Sequence, residues 1–587
     1  MRISYHIPIF TALITCNVVF SSLAFGRAPQ QVVPAGSFSG AYLAGRVAGG
    51  DQHMEIAVDY FKQAIAYRPK NVMALQDLLL TTLSLGDIKS AVPIAQKLKN
   101  NPAIERFARL VLAADAIKRH SYKGAKSELR FKNPSDMDRL AATLLDAWID
   151  YGRGNKSAAI AQMAKLRGPL WYDLFLSYHL ALMNELAGRK VEAESYYNRA
   201  LSDQAGGAAA PDTYERVIVA YASFLIKQKR RDEALRVLND GEVILSGRSA
   251  LKIMRLRVAD GGLIDFSIKT PQQAASEVFY DLGTAINRDG TESFARIYIQ
   301  MGLSLDPNND IALYQLADIY NKLNNPIKAI ETYEKISQKS AYYRDAHVRL
   351  ALTHLEQKQQ DRAIAELVSL QKLFPQDHGV SIVLSSAYMQ KKDFADALSV
   401  MQQTIATISA PKKSDWVVFH QSGICLERLN QWDKAEADFR KALALRPDEP
   451  EVLNYLGYSL IDRDRNLDEA LDMVKKAAAL RPNDGFIVDS LGWAYYKLRR
   501  YSEAVNVLEK AVLLQPMDPT INDHLGDAYW RVGRKLEATY QWQHAIDGKP
   551  EPEELKTLQE KLKHGLDSVA EHSKSTSKSV DQTSAKD

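Results

Sequence analysis

Small residues recur along this chain at a spacing that a single compact domain has no reason to keep. Gly423, Gly457, Gly492 and Gly526 stand 34, 35 and 34 residues apart, and Ala435, Ala470, Ala504 and Ala538 follow at 35, 34 and 34. Ala442, Ala477, Ala511 and Ala545 form a third comb, and Pro447, Pro482, Pro516 and Pro550 a fourth. Upstream the beat continues through Gly283, Ala317, Ala351 and Ser385, and through Ala295, Ala329, Ala363 and Ala397, every step 34 residues. A fixed period of this length means one supersecondary unit repeated, each copy covering the apolar face of the next. The extra residue after Gly457 belongs to the turn at Asp464, Arg465 and Asn466. The gap of 38 between Ala397 and Ala435 belongs to the loop from Ala410 to Ser414.

Each period has a physical meaning. In a first helix the small residue follows a large one, as in Leu456-Gly457, Leu491-Gly492 and Leu525-Gly526, so a partner helix can approach the backbone closely. In a second helix two alanines seven apart flank Phe439, Val474, Leu508 or Trp542, all on one helical face. Proline five residues beyond the second alanine ends that helix. The unit is therefore a helical hairpin.

The segments Leu-Gly-Trp-Ala-Tyr-Tyr at 491–496 and Leu-Gly-Asp-Ala-Tyr-Trp at 525–530, with the Ala/Ala/Pro comb, resemble the tetratricopeptide repeat. The resemblance is clearest over residues 276–552 and looser upstream, where Gly45, Ala57, Phe61, Ala64 and Pro69 fit one unit and Gly188, Ala193, Tyr197 and Ala200 another. Residues 72–169 keep helical periodicity, with Ala91 and Ala125 as markers. The expected fold is all-α: a right-handed α-solenoid of about fourteen hairpins, whose first helices line the inner face.

Two interruptions divide the plan. Ser202 to Pro211 reads as a long inter-helix loop. At 260–271, Asp260-Gly261-Gly262 is a turn signal, Ile264, Phe266 and Ile268 alternate with polar residues as in a short strand, and Thr270-Pro271 reads as a helix start. The expected domains are a degenerate solenoid over 38–262, a regular one over 271–550, a capping helix over 551–563 and a disordered tail over 565–587 rich in Ser, Lys and Thr.

At the N-terminus Arg2 precedes an apolar run from Ile7 to Phe20 and a small-residue site at Ser22 to Ala24, which reads as a signal peptide over residues 1–24. Export follows, to the periplasm if the source is a Gram-negative bacterium. Membrane association requires a retained N-terminus or lipid on Cys16, where Leu13-Ile14-Thr15-Cys16 is a poor lipobox. Only Cys425 accompanies Cys16, so the processed chain has no internal disulfide to form. With 75 basic and 71 acidic residues, no global field draws the protein onto nucleic acid.

Nothing in the sequence assembles into a catalytic motif. There is no Gly-Lys-Ser/Thr loop, Gly-x-Gly-x-x-Gly turn, His-Glu-x-x-His pair or Gly-x-Ser-x-Gly elbow, so no enzyme activity and no cofactor is expected. His347 and His354 share a helix face without a third ligand nearby and read as packed or solvated, and Cys425 reads as a buried thiol. An active site hidden in residues 72–270 is the reading from another class, and a structural spacer is a further one.

Phasing of the first helices, together with the resemblance, places Tyr458, Asp462, Phe486, Asp489, Trp493, Tyr496, Lys497, Asp523, Asp527, Trp530 and Arg531 on the inner groove. An aromatic strip edged with charges suits an extended peptide or partner helix. The resemblance to exported repeat proteins implies a scaffold or adaptor in the bacterial cell envelope, one that brings cell-wall hydrolases to a carboxyl-terminal processing protease. Assembly of an outer-membrane or secretion complex is the alternative role.

Overall fold

The structure is a computed structural model and describes residues 33–566, apart from 265, 267, 288 and 289. The signal peptide read over 1–24, Cys16 and the tail beyond 566 fall outside these residues. Among the described residues the chain forms thirty-one α-helices and no strand. Twenty-eight helices make fourteen successive hairpins, and Gln204–Ala209, Ser249–Ala259 and Pro552–His564 are the three left over. The fold is an all-α solenoid of tetratricopeptide-like hairpins.

The seam of each hairpin follows from the combs. A Cβ placed on Gly492 would lie 2.5 Å from Cγ of Leu508, and one on Gly526 2.5 Å from Cδ1 of Trp542. Glycine is required where the large residue of the second helix presses on the backbone of the first. The alanines beside it, Ala504, Ala511, Ala538 and Ala545, are fully buried. Between the arms the chain reverses through a left-handed residue, Asn430 (φ 59°), Arg499 (61°) or Gly533 (86°). In the longer turn both Asp464 (52°) and Asn466 (45°) are left-handed, which absorbs the extra residue.

By packing, the chain divides between Glu366 and Leu367 into two compact units. In the first unit, Ser202–Pro211 is not simply a loop. Asp203 accepts a hydrogen bond from the Gly206 amide and starts the short helix Gln204–Ala209. The 260–271 segment forms no strand among its described residues and does not part the array. Ile264, Phe266 and Ile268 are buried in the core shared by helices on both sides, and Ser223 Oγ donates to the Phe266 carbonyl at 3.1 Å. The alternation was correctly apolar, but no neighbouring strand supplies a ladder.

The hairpin that follows, Pro271–Ala285 and Glu292–Leu305, lies against the first helices of the preceding hairpins, including Val72–Ser84, Glu105–Lys118, Asp136–Gly152 and Pro211–Lys227. Its buried acids are matched to partners on those helices, although Ser276 Oγ, Tyr280 OH and Arg296 Nε are buried without one. Glu277 accepts from Tyr178 OH at 2.6 Å and from Nε and Nη2 of Arg216 at 2.7 and 2.9 Å. Trp148 Nε1 donates to His179 Nδ1 at 3.1 Å, which leaves the proton on Nε2 to be donated to Asp281 at 3.1 Å. Thr213 completes Asp281 at 3.0 Å. In this unit the inner face of the early hairpins is thus occupied by the chain itself.

The second unit holds the most regular repeats, from helix His378–Gln390 to Lys535–Asp547, and ends on the cap Pro552–His564. Leu558 and Leu566 are buried against the last hairpin, so the first residues past the cap are packed, although the tail was expected to begin at 565.

Candidate protein-binding groove

In the second unit the face of interest is made by helices Pro450–Asp462, Gly485–Lys497 and Pro519–Arg531. Each starts on a good N-terminal signal: proline at its first position, or an aspartate cap such as Asp484 and Asp518. The glycine of each helix faces the hairpin seam, so residues one and five places beyond it turn away from that seam, and the residue four beyond lies closer to it.

There the side chains form two groups. In the first, Trp493 is sandwiched: its ring stacks on Tyr496 at 4.7 Å and 8°, and on His524 at 4.0 Å and 15°. His524 Nδ1 lies 3.0 Å from both carboxylate oxygens of Asp489. Burial opposes charging of this imidazole, but Asp489, with Asp523 and Asp527 beyond it, outweighs that and holds its pKa above the ordinary histidine value. Its Nε2 and the Nε1 of Trp493 are buried and have no hydrogen-bond partner among the described residues. Arg531 Nε donates to Tyr496 OH at 3.4 Å along the edge of the stack, and burial pushes the Tyr496 hydroxyl up to about 12.

In the second group the cap helix takes part. Lys561 Nζ reaches both Asp523 (2.6 Å) and Asp527 (2.8 Å) and is itself almost fully buried. Burial works against its charge, but the two carboxylates hold it protonated far above its usual range. Asp527 also accepts from Trp542 Nε1 at 3.0 Å. Trp530 stacks near Trp542 at 5.4 Å, carries Lys535 over its ring at 4.6 Å and is covered by Gly565.

The eleven residues chosen from sequence are therefore not equivalent. Asp489, Trp493, Tyr496 and Arg531 come together with His524. Asp523, Asp527 and Trp530 are engaged by the cap or the hairpin seam. Phe486 joins the apolar cluster of Val488, Ala511 and Ile521, and Lys497 Nζ lies 3.9 Å from Asp464. Tyr458 is buried and Asp462 half-buried one repeat earlier; of the eleven only Arg531 is largely exposed. Two contributors escaped sequence reasoning, His524 and Lys561. Lys561 falls 34 residues after Asp527, itself 34 after Trp493, so its position in the register was readable.

The histidines considered for a metal are otherwise engaged. His347 Nδ1 lies 2.6 Å from Glu366 and His354 Nδ1 2.8 Å from Gln359. Cys425 is buried, which pushes its thiol up to about 12. Within the first unit, a cavity of about 160 Å³ near residues 137–210 is lined by apolar groups such as Met137, Trp171 and Phe175 and has no converging acid–base set.

Family profiles described as TPR or tetratricopeptide repeat match residues 311–337, 345–377, 423–485 and 492–533. Together these stretches fall short of half the chain and lie in its later part. No curated protein matches the sequence. Among solved structures, one described as the APC/C hetero-tetramer Cut9-Hcn1 is 15% identical, with 90% of this chain and 96% of that chain covered at a TM-score of 0.37. A tetratricopeptide repeat protein from Parabacteroides merdae is 15% identical over 42% of this chain and 95% of its own, TM-score 0.36. Naa15/Naa10 bound to HypK-THB is 15% identical over 90% and 89%, TM-score 0.32.

Proposed function

We propose that the chain is a non-enzymatic protein-binding scaffold, and that the inner face around Gly485–Lys497 and Pro519–Arg531 holds an extended segment of another protein. One observation carries this reading: Trp493 and Tyr496 of one first helix and Arg531 of the next form an aromatic strip, with Tyr496 half-buried and Arg531 exposed along its edge. The side chains of an extended peptide pack on such rings, and its carbonyls or carboxylates meet the Arg531 edge. A photoreactive residue placed at Arg531 should form an adduct with another protein in cells, and Trp493→Ala should abolish it. An adduct of equal yield from Lys510, exposed on a second helix, would remove the groove from consideration.

At the finer level we assign the protein to the bacterial cell envelope, as an adaptor between cell-wall hydrolases and a carboxyl-terminal processing protease. The apolar run after Arg2 supports export, and the likeness to envelope repeat proteins supports the role. Affinity capture of the processed protein should recover such a protease or a cell-wall enzyme. Recovery of outer-membrane or secretion components instead would favour an assembly factor, and a cytoplasmic location on fractionation would remove export.

A further inference from the structure

Helix Glu292–Leu305 of the first unit carries one arginine that the chain does not neutralise. Arg296 is 1% exposed, yet its Nε has no hydrogen-bond partner. Its Nη1 donates to Gln52 Oε1 at 3.0 Å, and the Tyr320 ring lies 5.9 Å from the guanidinium carbon. Among the described residues no carboxylate pairs with it, unlike Arg216 in the same unit, whose fork is filled by Glu277. Burial pulls its pKa down, with only the Tyr320 phenol opposing it and no carboxylate beside it. Guanidinium does not give up its proton under such pressure, so an uncompensated charge is held inside the protein.

The same residue lines a cavity of about 310 Å³ between that helix and the first two hairpins. The rest of the wall is mostly apolar, with Met54, Phe61, Leu80, Phe294 and Ile297. The one acid in the lining, Asp77, is already taken by Tyr42 OH at 2.8 Å and Arg46 at 3.4 Å.

We propose that this cavity is a binding site for a small monocarboxylate with an apolar body, the carboxylate seated on Arg296 and the body against Phe61, Leu80 and Phe294. A guanidinium whose Nε lacks an acceptor offers a charge-assisted hydrogen bond that a carboxylate can accept. Phosphate would bring more charge than this one free cation offsets, because Arg46 is engaged by Asp77. The cavity, at about 310 Å³, is too small for a helix of a partner protein.

The test uses the full chain with octanoate as the probe, and octanol and inorganic phosphate as controls. Octanoate at about a hundredfold excess over its Kd should raise the melting temperature of the first unit by about 3–5 °C, whereas octanol and phosphate should not. Arg296→Met should melt no lower than the parent without ligand, since it removes an unpaired charge, and should lose the octanoate response. Gly50→Leu is the second variant. Gly50 lines the cavity and a Cβ there meets nothing within 4 Å, so a leucine is tolerated at the cavity wall and should weaken the response by narrowing it. An equal shift in all three proteins, no shift in the parent, or a melting temperature several degrees lower in Arg296→Met would each overturn the proposal.

Discussion

Replacing Glu277 by alanine should release the hairpin 271–305 from the face it covers. Glu277 is 1% exposed and, among the described residues, is the sole carboxylate bonded to Arg216, while also accepting from Tyr178. Its loss leaves a buried guanidinium unpaired, at about 3–5 kcal/mol, and a buried phenol without an acceptor, at about 1 kcal/mol more. The total of about 4–6 kcal/mol is comparable to the whole stability of many domains. Hydrogen exchange should show helices Tyr172–Leu186 and Pro271–Ala285 losing protection together, and urea unfolding should show an early transition. The double variant Arg216→Met/Glu277→Leu should recover all but about 1 kcal/mol, because it removes both charges rather than stranding one. The pH dependence has a definite sign. Burial raises the Glu277 pKa, but Arg216 and Tyr178 hold it below the ordinary carboxylate value, so its contribution is present above the unfolded pKa and lost as pH falls through the folded one. A loss under about 1 kcal/mol for Glu277→Ala, or a double variant as damaged as the single one, would refute the reasoning.

Three further outcomes are expected. His420 sits among Trp416, Phe439 and Tyr455 with its Nε2 unpartnered, and burial pulls its pKa down to about 4. The neutral form is the stable one, so from the unfolded value near 6.5 down to about 4 the fold loses about 3 kcal/mol, a loss that His420→Phe should remove when urea midpoints are compared at pH 7 and 4.5. Gly492→Ala should cost about 1–3 kcal/mol by thermal or urea unfolding, because its Cβ would press on Leu508 at 2.5 Å. Lys561→Met strands Asp523 and Asp527, costing about 3 kcal/mol at neutral pH by urea unfolding. That cost should shrink in acid as the carboxyls protonate.

What could be read from the sequence and what could not divides along contact distance. The seam between Gly492 and Leu508, and the doubled turn at Asp464 and Asn466, are contacts within one repeat, and their register was printed in the spacing of small residues. The Trp493, Asp527 and Lys561 column is one step removed, a contact between neighbours at the same repeat position, and it was half legible: the aromatic and acid were chosen, the lysine was missed because a polar cap looks like a solvated helix. Glu277 and Tyr178 are 99 residues apart, and no periodicity of about 34 connects them. On its own helix Glu277 sits four residues before Asp281, a pattern that reads as an exposed acidic face until the arginine and histidine that receive it are known. Inner-face charges in a repeat array are therefore ambiguous by nature: the same acid can await a partner or already hold a helix of its own chain. The deciding quantity is whether its hydrogen-bonding capacity is used. By that measure Glu277 and Asp281 are satisfied, whereas Arg296 Nε in the first unit has no partner among the described residues; Arg296 also lines a cavity, and it is there that a ligand should be sought.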